Sequence, residues 1–242
     1  MKNVLKIVLG AIVVIYILVM LFYGSCKRNE QVCKSLHVIV EDSTELKFVS
    51  SREIKQYVLR NFKGIQGRSF KDINMEKVEE AVNKFPAVES SDVYPSLNGR
   101  LQIVIKQREP VLRAFEQGTS FLIDSAGMKI PLRGSYSRKL MVVTGDLRSL
   151  QTRKDLVRLN EFIQDDSFWR AQVEQIYVNN AGDMVLVPRV GNHRINVGGV
   201  NDLEYKFRNL FALYEHGLDP LEWNSYREIS VKYKGQVICS KL

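Results

Sequence analysis

Cysteine and histidine are scarce in this chain of 242 residues, three of each. Cys26, Cys33 and Cys239 are an odd set at uninformative spacings with no CxxC, which excludes a disulfide framework and a zinc site built on cysteine pairs. Cys33 and His37 stand four apart and could in principle share a metal, but no second pair completes a ligand set. His37, His193 and His216 are not joined by serine, cysteine and carboxylate in a recognisable catalytic pattern. A Walker loop, a GxGxxG turn and an HExxH helix are all missing. No catalytic, cofactor-binding or metal residue is therefore assigned, and neither a cofactor nor a small-molecule substrate is expected. Internal repeats, low-complexity stretches and a second long apolar run are absent too, so the chain crosses a membrane at most once.

What is present begins with Ile7 to Tyr23, an unbroken apolar run. Val4 and Leu5 extend it past Lys6 to roughly 20 residues, long enough at ~1.5 Å per residue to cross a ~30 Å hydrocarbon layer. A cleaved signal peptide would have a shorter apolar region and a small-residue cleavage site, whereas bulky Leu21, Phe22 and Tyr23 run straight to Gly24. Gly24-Ser25-Cys26 resembles the end of a lipoprotein signal, with Tyr23 in place of the usual aliphatic residue. Lys2, Lys6 and the amino terminus on one flank compete with Lys27 and Arg28 on the other. The favoured layout is a cytoplasmic tail over 1–6, a transmembrane helix over 7–24 in the cytoplasmic membrane, and everything beyond it in the periplasm or outside.

The exterior part is long enough for one large or two small domains, and a composition 45% hydrophobic and 10% aromatic is that of a packed core. Of the formal charge of +8, the first thirty residues carry +3. The moderately basic remainder suits anionic headgroups or acidic partners, and nucleic acid is not expected outside the membrane.

Residues 27–34 read as a short polar tether. Ser35 to Glu41 reads as a strand with Leu36, Val38 and Val40 on one face. Ser50 and Glu53 form a capping box, with Val49 placed to staple onto Ile54, and Ile54, Tyr57, Val58 and Phe62 continue one helical face. Asn74 caps a second helix bearing Met75, Val78, Val82 and Phe85, which Pro86 stops. Ser91 to Tyr94 and Leu101 to Gln107 flank Asn98-Gly99, a hairpin turn signal. The expected order over 34–108 is β-α-α-β-β, with both helices on one face of a three-stranded sheet and Val78 and Ile103 in its core.

Arg108-Glu109-Pro110 opens a second region, 109–242, of mainly β character. Strands are expected at Phe121 to Asp124, Met128 to Leu132, Leu140 to Thr144, Val173 to Val178, Met184 to Pro188 and His193 to Val197. A helix from about Thr152 to Gln164 turns Leu156, Leu159 and Ile163 inward. A longer one from Asn201 or Asp202 carries Leu203, Phe207, Leu210, Phe211 and Tyr214 and ends at Gly217, its aromatic stripe read as core. A final hairpin is expected with Ile229, Val231 and Tyr233 on one arm, Lys234-Gly235 at the turn, and Gln236 to Ser240 on the other. His193 reads as an ordinary polar residue of a strand or turn. The basic stretch Lys129 to Arg158 is read as a solvated face in preference to a contact with lipid or an acidic partner.

Phe85-Pro86-Ala87-Val88, Ser91-Asp92-Val93, Tyr94-Pro95, Leu101, Val104 and Arg108-Glu109-Pro110-Val111 follow one another as at a junction between two domains. With Leu122-Ile123-Asp124, Gly127 and Ile229-Ser230-Val231-Lys232-Tyr233, they give a chain that resembles the FtsQ/DivIB cell-division family along its whole length. Lys232 stands where that family would have arginine, and the tail after Tyr233 is short. The resemblance implies an α+β protein with one transmembrane helix, a POTRA domain, and a mainly antiparallel β domain with two flanking helices. It implies a scaffold of the bacterial divisome without catalysis, at the septum in the inner membrane, with FtsB-like and FtsL-like bitopic proteins as partners in regulating septal peptidoglycan synthesis. Lys232, Tyr233, Gln236, Val237 and Ile238 are the expected partner-binding residues, the final arm pairing with a partner by strand addition at a sheet edge. A final strand that merely closes the core is the competing reading of that arm. For the whole protein the alternatives are a membrane-anchored envelope enzyme or its accessory subunit, and a POTRA-bearing transport component, disfavoured because no β-barrel sequence follows.

Overall fold

The computed structural model describes residues 10, 12–20, 31–41, 46, 48–132, 136–218 and 220–242. Among these, no helix is long and apolar enough to cross a membrane. Of the expected anchor, 7–24, residues 10 and 12–20 are described, helical and exposed, and the rest lies outside the described residues. The chain divides into two compact units, Met1–Gln107 and Arg108–Leu242.

In the first unit β1 (Ser35–Val40), β2 (Val88–Pro95) and β3 (Arg100–Gln107) form a sheet of order β1-β3-β2. β1 runs parallel to β3, with Val38 opposite Ile103, and β2 runs antiparallel to it, with Val93 opposite the same residue. The helices Ser51–Asn61 and Met75–Asn83 begin where their caps predict: Ser50 Oγ accepts from Glu53 N at 3.2 Å and Asn74 Oδ1 from Lys77 N at 2.9 Å. Ile54, Val58, Val78, Val82, Leu101, Ile103 and Ile105 are fully buried, and Tyr57 meets Phe85 edge-on at 4.6 Å. Gly99 closes the hairpin at φ +71, as the Asn98-Gly99 pair requires.

The buried Gln107 closes the end of β3. Its Oε1 accepts from Phe48 N and Val49 N, each at 3.1 Å, and its Nε2 donates to Leu46 O at 2.8 Å and Glu41 O at 3.3 Å. One amide thus satisfies four backbone groups ahead of the first helix. The tether expected over 27–34 is corrected at its far end. Val32 bridges Ser69, Cys33 is buried with its N–H on Arg68 O at 2.9 Å, and Lys34 N donates to Gly99 O at 2.7 Å. His37 faces solvent.

The second unit is built on a nine-stranded sheet of order β12-β11-β10-β9-β8-β7-β4-β5-β6. Its strands are β4 (Pro110–Glu116), β5 (Thr119–Asp124), β6 (Lys129–Pro131), β7 (Met141–Gly145), β8 (Val173–Val178), β9 (Met184–Pro188), β10 (Arg194–Gly198), β11 (Tyr226–Ser230) and β12 (Ile238–Lys241). The sheet is mixed: β4 with β7, β7 with β8 and β10 with β11 are parallel pairs, and the other five neighbours are antiparallel. The helices impose this. Leu150–Asp165 and Ser167–Gln172 lie between β7 and β8, and Leu203–Ala212 between β10 and β11, so each is the crossover a parallel pair needs. Strand β4 has no counterpart in the sequence reading. Its turn into β5 is Gln117-Gly118, at φ 48 and 78, where glutamine takes a left-handed place that asparagine would advertise.

Leu156, Leu159 and Ile163 from the first crossover and Phe207 and Leu210 from the second join one core. Trp169 meets Phe207 edge-on at 5.0 Å, and Tyr214 meets Trp223 at 5.1 Å. Phe211 departs from the expected core stripe, for it is 40% exposed and touches Phe168 at 5.1 Å. His193 is corrected from an ordinary polar residue to a buried member of this cluster, its Nε2 hydrogen-bonded to the Tyr214 hydroxyl. Burial pushes the His193 pKa below its usual value against a smaller upward pull from the Trp223 backbone, and burial pushes the Tyr214 phenol up to about 12.

Most of the basic stretch is a solvated face, as expected, with ion pairs on it, and the buried Arg153 is the departure. Lys129 pairs with Glu116 at 2.8 Å, Arg138 with Glu109 at 2.7 Å and Arg148 with Asp146 at 2.6 Å. Arg153 is buried and donates to Gly127 O, Leu147 O and Arg148 O at 2.7 to 2.8 Å. Asp124 accepts from Ala126 N, Met128 N and Arg108 Nη1, so a single carboxylate organises the β5–β6 turn.

Two outcomes follow from these cores. Ile103→Asp puts an unpaired charge at the centre of the smaller sheet and should cost about 3 kcal/mol or more in a urea melt. His193 holds its proton less readily in the fold than in the unfolded chain, where it titrates near pH 6.5, so its contribution is complete well above that pH and stability falls as pH drops below it. Urea melts from pH 7.5 to 5 should show this slope, up to about 1.4 kcal/mol per pH unit, and His193→Gln should lose it relative to the parent.

Candidate partner-binding edge

The expected interface residues fall on the last hairpin. Ser230 stands opposite Ile238, Ile229 opposite Cys239 and Glu228 opposite Ser240, so the strands meet across a seven-residue connection, 231–237. The turn falls at Lys234-Gly235 as expected, Gly235 at φ +81, but both arms are shorter than expected, which places Lys232, Tyr233, Gln236 and Val237 in the connection and Ile238 at the start of β12. Alternation of Ile229, Val231 and Tyr233 mimics a longer strand. Past Ser230 the chain keeps its ladder with β10, for Val231 N donates to Asn196 O at 2.9 Å, but the pairing with β12 ends at Ser230 opposite Ile238.

Each predicted residue has a distinct place. Tyr233 is 55% exposed and Ile238 44%, and Gln236 faces solvent. Val237 is half-buried and packs on the core. Lys232 runs along the sheet: its Nζ reaches Asp183 at 2.9 Å and stands 5.7 Å from the centre of the Tyr233 ring. The hydrogen bond that Lys232 donates to the Asp183 carboxylate raises its pKa. The edge therefore brings Lys232 and Tyr233 together, leaves Ile238 exposed opposite Ser230, and turns Val237 inward.

Residues outside the expected set hold this arrangement. Gly198 lies at φ +68, where a Cβ would sit 2.7 Å from Lys232 Cγ, so only glycine lets the lysine stem cross β10. The buried Lys206 donates to Val197 O at 2.9 Å and Gly199 O at 2.7 Å, fixing the bend after β10. Asp183 is itself set by the Asn179 side chain, whose Oδ1 accepts from Asp183 N at 2.9 Å. The paired glycines Gly198-Gly199 are the one local sign of this in the sequence; Asp183 is 49 positions from Lys232 and has none. A cleft of about 240 Å³ opens beside them, lined by Asp202, Tyr205, Lys206, Lys232, Tyr233 and Lys234.

The two ends of the sheet differ. β6 is three residues long and ends in Pro131, which has no N–H to offer a further strand. β12 contains no proline, and its outer side has no neighbouring strand among the described residues. Gly198→Ala should lower stability by about 1 kcal/mol or more and speed hydrogen exchange over 231–237 as the lysine stem is displaced.

Residues 31–106 match the model of a POTRA-like domain, and residues 109–240 match the model described as FtsQ/DivIB, C-terminal related. No curated protein matches the chain. The second match alone spans more than half of the sequence and contains the whole nine-stranded sheet except its last residue, Lys241. The chain belongs to the FtsQ/DivIB family.

Proposed function

We propose that the protein is a non-catalytic, single-pass scaffold of the bacterial divisome. Residues 7–24 cross the cytoplasmic membrane, 1–6 stay inside, and both folded units stand outside at the division site. There the β12 edge captures an extended segment of an FtsB-like partner, itself paired with an FtsL-like one, and the assembly helps regulate septal peptidoglycan synthesis. The single observation that carries this reading is the unpaired outer side of β12 in a sheet whose opposite end is blunted. Main-chain groups of such an edge supply affinity whatever the partner's sequence, and the protruding Tyr233 and Ile238 supply selectivity. Lys232 and Gln236 flank them, while Val237 serves as the wedge that seats the connection.

Tyr233→Ala and Ile238→Arg should each weaken capture of the purified exterior segment of the FtsB-like partner about tenfold or more in calorimetric titrations, with melting temperature unchanged. Wild-type affinity in both folded variants would move the interface elsewhere. Protease added to spheroplasts should remove the exterior units, and full protection would reverse the orientation.

A further inference from the structure

Beside its first helix the N-terminal unit carries a cleft of about 320 Å³ that the partner edge does not use. Ile65 and Ile73 form its buried floor, and Lys63, Arg68 and Lys77 stand around it with one carboxylate, Asp72. The three cations are exposed, and their side chains make no ion pair or hydrogen bond among the described residues. Other exposed cations such as Lys55, Lys84 and Arg100 are unpaired too, but Lys63, Arg68 and Lys77 share the lining of one hollow. Three unneutralised charges converging on one hollow attract an anion, and arginine with lysine suits phosphate oxygens.

The cleft is also stitched to the segment that follows the apolar run. Cys33 N donates to Arg68 O at 2.9 Å, Gly67 N to Cys33 O at 2.8 Å and Phe70 N to Gln31 O at 3.0 Å. Gln31 comes eight residues after Tyr23, a reach of about 28 Å at full extension. A unit leashed so closely keeps Arg68 near the surface of any membrane the run crosses.

We infer that this cleft binds the phosphate headgroups of anionic phospholipids, with Lys63, Arg68 and Lys77 holding the phosphate and the Ile65 and Ile73 floor receiving the adjoining apolar part of the lipid. The inference rests on the single-pass anchor of the proposed function. It adds a second, lipid-reading attachment to that anchor and gives the N-terminal unit a ligand of its own.

The test uses the full-length protein in nanodiscs of phosphatidylcholine alone or mixed with phosphatidylglycerol, with hydrogen exchange followed over residues 61–78. Exchange should slow several-fold in the anionic discs and return to the zwitterionic rate at about 1 M salt, where the screening length is ~3 Å. The triple variant Lys63→Gln, Arg68→Gln, Lys77→Gln should exchange alike in both discs. Lys63→Arg with Lys77→Arg should keep the protection, which ties the effect to charge rather than to folding. Equal exchange of the parent in the two discs, or protection that survives in the triple variant, overturns the lipid site and leaves the anchor standing. Slowing by inorganic phosphate in phosphatidylcholine discs assigns the cleft to a free anion and overturns it as well. A chain that enters neither disc overturns both the site and the anchor.

Discussion

Arg153 directs its guanidinium at three carbonyls, those of Gly127, Leu147 and Arg148, from the first turn of the helix Leu150–Asp165. Those carbonyls belong to the β5–β6 turn and to the chain leaving β7, and those of Gly127 and Leu147 lie in buried residues that need a partner inside the protein. A neutral side chain would leave several acceptors unsatisfied, each costing about 1 to 3 kcal/mol. Gly127 completes the contact, because a Cβ there would lie 3.1 Å from Lys154 N. The crossover helix is thereby fixed to one end of the sheet, and with it the parallel pairing of β7 with β8.

The second crossover repeats the device with Lys206 against Val197 O and Gly199 O, and Gln107 performs it with an amide in the N-terminal unit. In each case one long side chain does for an irregular stretch what a ladder does for a strand. Beside the last hairpin, Lys206 ties the bend after β10, and Lys232, next to Tyr233, is held by Asp183.

What the sequence discloses follows from how local each signal is. The N-terminal unit is legible because its determinants sit within a few residues of what they control: Ser50 with Glu53, Asn74 with Lys77, Asn98 with Gly99. Strand β4 is hidden because its turn uses Gln117, a residue rarely at positive φ. The final strand is legible as a place, since Gln236 to Ser240 reads as its arm, but the brace beside it is not, since Asp183 and Gly198 act on Lys232 across the sheet. His193 and Arg153 look like surface residues in the sequence, and only the packed fold gives them interior partners.

The two ends of the nine-stranded sheet are chemically unlike, for β6 is short and ends in Pro131, with one donor fewer for a further strand, and β12 carries no proline. A head-to-tail array of copies joined sheet to sheet would need both ends. The proline works against such arrays from the end of the sheet opposite β12.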